Sequence, residues 1–64
     1  MRRKRLEKRI AQIARANGLT TQWEEGANHS KVTVGKALAM VPRHREINEH
    51  TAQGIIRYIE RNCK

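Results

Sequence analysis

An imidazole and an ammonium two residues apart, His29 and Lys31, are the side chains in this chain best spaced for chemistry. They follow Gly26-Ala27-Asn28, a turn-forming string, and His29 opens a strand-like stretch, Ser30-Lys31-Val32-Thr33-Val34. Successive strand side chains point to opposite faces, so His29, Lys31 and Thr33 share one face while Val32 and Val34 share the other. A group that titrates near neutral pH beside a fixed cation suits proton transfer at a phosphate, or contact with one.

The rest of the chain attracts phosphate as well. Its 64 residues carry a formal charge of +8, so counter-ion release makes nucleic acid the leading partner, ahead of an anionic membrane surface or an acidic protein. Aromatic residues make up only 3%, which leaves out the interleaved rings of a single-strand-binding sheet. Trp23 reads as core or partner interface, and Tyr58 as a ring at the edge of the core. The one cysteine, Cys63, excludes an internal disulfide and a multi-cysteine zinc site and points to a reducing cytosol. No apolar run is long enough for a membrane span or for the core of a signal peptide.

One small domain over residues 1–64 must hold these side chains in place. Leu6, Ile10, Ile13 and Ala14 recur at helical spacing, predicting a helix over 5–17 that ends at Asn17-Gly18, with residues 1–5 left as a basic arm. Strands are predicted over 19–25, 29–34 and 37–41, the last two joined by a Gly35-Lys36 hairpin turn and the third stopped by Pro42. A closing helix over 49–62, capped by Asn48, turns Ala52, Ile55, Ile56 and Ile59 inward. Gly54 in its middle predicts a close approach of helix to sheet. The expected core is Leu6, Ile10, Ile13, Leu19, Val32, Val34, Leu38, Met40, Ile47, Ile55, Ile56 and Ile59. The fold class is α+β, in the order α-β-β-β-α, with a three-stranded antiparallel sheet and both helices on one face.

The run Arg2-Arg3-Lys4-Arg5 opposes the dipole of the helix it precedes, so helix stability does not explain it. Contact with phosphate or an acidic partner competes there with a solvated end. Arg57, Arg61 and Lys64 relieve the dipole at the end of the second helix and need no other role. His50 reads as a surface residue, and His44 as either a phosphate contact or a solvated side chain.

Gly26-Ala27-Asn28-His29-Ser30-Lys31, then Val41-Pro42-Arg43-His44 and an isoleucine-rich last helix, resemble the HicA toxins of HicA/HicB toxin–antitoxin systems in order and spacing. The likeness runs from the first helix to about Glu60. It departs from the family at Ala27, where many members carry serine, in the heavier arginine start, and at Asn48-Glu49-His50-Thr51, where the family has a proline/glycine-containing stretch. The resemblance implies a fold like a double-stranded-RNA-binding domain and a cytoplasmic, metal-independent endoribonuclease that cleaves messenger RNA without a cofactor. It implies His29 as the catalytic residue and a HicB-type antitoxin as the silencing partner. Lys31, Arg43, His44 and Asn28 are then the expected phosphate contacts, with Arg2, Arg3, Lys4 and Arg5 as further basic contacts. A non-catalytic RNA-binding module of the same fold is the alternative. A catalytically lapsed adaptor that acts through protein contact is a third.

Overall fold

In a computed structural model describing residues 1–64, the elements follow in the expected order. They are α1 (Arg3–Ala16), β1 (Thr21–Glu25), β2 (His29–Val34), β3 (Ala37–Pro42) and α2 (Glu49–Asn62). The strands form one antiparallel sheet in the order β1-β2-β3, and both helices pack on its inner face.

α1 ends in a Schellman motif: the Leu19 N–H donates to the Ala14 carbonyl at 2.7 Å and the Gly18 N–H to that of Arg15, with Gly18 at φ 69°. Spending Leu19 on this cap explains why β1 starts at Thr21 and not at residue 19. The hairpin between β2 and β3 turns on Gly35, whose φ of 57° fits the first central position of a two-residue type II′ loop. α2 starts where Asn48 Oδ1 accepts from the backbone N–H groups of His50 and Thr51, at 2.8 and 3.4 Å.

Register corrects part of the expected core. A two-residue turn places Val34 opposite Ala37 and Val32 opposite Ala39, so Ala37, Ala39 and Val41 point inward with the valines. Leu38 and Met40 therefore point outward and are 49% and 55% exposed. The small alanines leave room for the helices, and the inner space is filled by Leu6, Ile10, Val32, Val34, Ile56 and Ile59. Ile47, Ala52 and the free Cys63 thiol are also buried, while Leu19 and Ile55 pack against the core only in part.

Gly54 is a second correction. A methyl group there would meet nothing within 4 Å, so no close approach to the sheet explains the residue. A mid-helix glycine costs roughly 0.5–1 kcal/mol relative to alanine, and within this chain nothing offsets that.

The basic start is not an arm. α1 begins at Arg3, two residues earlier than the periodicity implied, because residues 1–3 pair with the segment ahead of α2. The Ile47 N–H donates to the Met1 carbonyl at 2.8 Å and the Arg3 N–H to the Arg45 carbonyl at 2.9 Å, around an Arg2–Glu46 bridge. The Met1 amino group donates to the Ile47 carbonyl and lies 3.4 Å from Glu46 and 3.3 Å from Glu49. This pairing fixes the first residues beside Arg43, His44 and Arg45.

Candidate functional site

His29 begins β2 on the outer, uncovered face of the sheet and is exposed. Opposite it in register stands Pro42, the last residue of β3, so the imidazole sits at the end of the sheet where the 43–45 segment departs. It shares the outer face with Lys31 and Thr33, as the alternation required. A shallow depression of about 280 Å³ surrounds it, lined by Glu24, Glu25, Gly26, Lys31 and Met40. No hydrogen bond from another side chain orients the ring.

Lys31 is already engaged. Its Nζ lies 2.8 Å from Glu24 Oε1, across the β1–β2 rung that pairs the two residues. That hydrogen bond, and then the charge of Lys31, hold the Glu24 carboxyl below the usual carboxylate range. The pair is therefore intact at neutral pH and on the acid side comes apart as the pH falls through the lowered Glu24 value. Exposed pairs of this kind are weak, so a phosphate can compete for Lys31.

Behind His29, on the inner face at the same end of the sheet, runs a polar chain that the spacing of residues did not reveal. Arg3, only 16% exposed in its side chain, donates from Nη2 to Ser30 Oγ at 2.7 Å. Ser30, wholly buried, donates in turn to Glu25 Oε1 at 2.9 Å. Arg43 Nε lies 3.5 Å from the same oxygen, and Arg43 Nη1 donates to the Gly26 carbonyl at 2.6 Å. The Arg3 guanidinium also lies 5.5 Å from the centroid of the half-buried Trp23 ring. Arg3 Nε lies 3.1 Å from Glu7 Oε2 but makes no aligned hydrogen bond, so that contact is ionic. The chain ties the start of α1 to the Gly26–His29 turn. Ser30→Ala breaks it at its buried centre, leaving Arg3 and Glu25 without their shared partner, and should cost about 1–3 kcal/mol in urea unfolding. A variant as stable as the parent would show that water replaces the hydroxyl.

The remaining basic residues converge. Arg2, Arg3 and Lys4 from the start of the sequence and Arg43, His44 and Arg45 from the β3–α2 connection line one cleft of about 440 Å³, with Glu7 as its only carboxylate. Arg5 lies outside this cleft, beside Lys8 and Arg9 along α1. Asn28 is exposed in the turn before His29, and its carbonyl accepts from the Arg43 N–H at 3.3 Å. Around His29 each carboxylate has a cation, Lys31 for Glu24 and Arg43 for Glu25, so the excess positive charge lies in the neighbouring cleft. Arg43 belongs to both places. It lines the cleft while bonded to two residues of the His29 depression.

No group of three or more His, Cys, Asp or Glu side chains is placed to hold a metal ion. No helix is long and apolar enough to cross a membrane. No protein-family model, no curated protein and no solved structure matches this chain.

Proposed function

We propose that this chain is a HicA-type toxin, a cytoplasmic endoribonuclease that cleaves messenger RNA without a metal ion and is silenced by a HicB-type antitoxin. The observation that carries the reading is the exposed His29 beside Lys31 on an uncovered sheet face, next to a cleft of convergent cations. RNA supplies its own nucleophile, the 2′-hydroxyl. Cleavage then needs a group to take that proton, a group to give one to the departing 5′-oxygen, and positive charge at the phosphorane. His29 performs one of the two proton transfers and solvent water the other, and such a side chain contributes about 10²–10⁴-fold. Lys31 stabilises the charge on the reacting phosphate after leaving Glu24. Arg43, with Asn28 and His44, positions the backbone, and Arg2, Lys4 and Arg45 hold the phosphates that follow along the cleft. Arg3, tied to Ser30 and Trp23, keeps the turn in place.

The test is single-stranded RNA incubated with the purified chain in EDTA and resolved on a denaturing gel. Shortened strands support the nuclease. Intact RNA that is retarded only on a native gel supports the alternative, a non-catalytic RNA-binding module, which the absence of any hydrogen bond orienting the His29 ring favours.

Glu24 supplies a further test. Glu24→Gln releases Lys31 and removes a negative charge from the His29 depression. RNA affinity should rise, by up to about tenfold at low salt, and the gain should shrink as salt is raised. Weaker binding by this variant, read by fluorescence anisotropy, would show that Glu24 positions Lys31 for the RNA.

A further inference from the structure

We propose that the groove between the outer edge of β3 and α2 takes up an extended, acidic segment of a partner protein, which joins the sheet as a fourth strand. The inference goes beyond the nuclease reading and does not depend on it.

β3 bonds to β2 alone. In the hairpin the flanking pair, Val34 and Ala37, exchanges hydrogen bonds, so Ala37, Ala39 and Val41 aim their N–H and C=O groups at β2. Leu38 and Met40 therefore aim theirs away from the sheet, where nothing in the chain accepts them. Pro42 falls on the same outward set, so its missing N–H costs the ladder nothing. Exposed edges are ordinarily guarded by lysine, a bulge or a covering element, yet Ala37–Pro42 carries no charge. The same residues that offer free backbone groups, Leu38 and Met40, also expose half of their apolar side chains. Across a groove of about 350 Å³ stands Tyr58, 46% exposed, with Thr51, Gly54 and Ile55 beside it.

Charge selects the occupant. Around a helix of about 3.6 residues per turn, Thr51, Gly54, Ile55 and Tyr58 face the groove and His50, Arg57 and Arg61 form the adjoining row. The carboxylates Glu49 and Glu60 fall on the far side, where Glu49 meets the Met1 amino group. Lys36 stands at the head of β3. The rim is thus cationic, while the floor and the strand edge are neutral. A second copy of this chain would set its own Arg57 and Arg61 against the same row and gain no opposite charge. RNA would leave the free amide edge and the apolar side chains without a use. A strand with apolar centre and acidic ends matches all of it.

Gly54 adds an independent observation. It weakens α2, and the space above it is open. A backbone lying against α2 at that point accounts for the missing side chain.

The experiment uses the whole chain, isotopically labelled, and a short acetylated peptide with valines at its centre and glutamates at both ends. Amide shifts should move at Leu38, Met40, Gly54 and Tyr58 on titration. Leu38→Lys should weaken binding by about tenfold. Gly54→Ala should raise the denaturation midpoint yet weaken the peptide, a split that damage to the fold cannot produce. The proposal is overturned if the peptide moves none of these amides, or if a peptide with lysines for glutamates binds equally well. It is also overturned if the same amides move with protein concentration alone, since a second copy then fills the groove, or if an RNA oligonucleotide moves them and displaces the peptide. RNA cleavage, measured separately, bears only on the nuclease reading.

Discussion

On the proposed nuclease reading, His29→Ala should all but remove RNA cleavage while leaving the fold and RNA affinity as they were, the largest effect expected of any single substitution in the chain. Removing a general acid or base lowers the rate by about 10²–10⁴-fold. The fold should not notice, because His29 is exposed and its side chain makes no hydrogen bond. Changes at such positions stay within about 0.5 kcal/mol. Affinity should hold too, since the excess cations lie in the cleft of Arg2, Lys4, Arg43 and Arg45 and not at the imidazole. Cleavage of a labelled RNA, thermal unfolding and anisotropy, measured on one preparation, separate the three quantities. Parent-rate cleavage by the variant ends the assignment. Equal losses of cleavage and affinity would make His29 a binding residue and move the proton transfer to another group of the site.

The position of His29 was legible in the sequence because it depends only on the strand's period of two and on a turn that ends at Asn28. The same local logic gave Asn48 as a cap and Gly35 as the hairpin residue. It also contained the register of β3, since a two-residue turn must set Val34 against Ala37. Hydrophobicity alone favours Leu38 and Met40 for the core, but alternation from the turn sends Ala37, Ala39 and Val41 inward, and alternation wins.

What could not be read locally was long range. Pairing of Met1–Arg3 with Arg45–Ile47 joins segments more than forty residues apart, and nothing in either announces the other. Two basic stretches that looked independent become one cleft through it. The Arg3–Ser30–Glu25–Arg43 chain is hidden for the same reason. Its one sequence trace is Ser30, a polar residue on the inward face of an otherwise valine-lined strand, which asks for a buried partner.

Gly35→Ala should be the most damaging change to stability. The residue sits at φ 57°, a left-handed conformation that costs a side-chain-bearing residue roughly 1–2 kcal/mol. An added methyl group would also run into the Cys63 carbonyl oxygen and come within 2.8 Å of Leu19 Cδ1. Neither neighbour is free to yield: the Cys63 carbonyl accepts from the Lys36 N–H at 3.2 Å, and the Cys63 side chain is buried against the core. Relief therefore means lifting the end of α2 from the hairpin, which breaks that bond and exposes apolar surface. The two costs together come to about 3 kcal/mol or more, a large share of the 5 kcal/mol or so that a single small core supplies. For a domain of this size each kcal/mol moves the midpoint by roughly 4–8 °C, so the variant's thermal midpoint should fall by about 12 °C or more. Gly18→Ala is a partial control, because it too has a positive φ, 69°, but meets nothing within 4 Å. Its smaller loss reports strain without a clash, and most of the excess at Gly35 is expected from the seat of α2 on the turn. Equal losses would mean that the end of α2 moves freely and that the Lys36–Cys63 bond holds nothing in place.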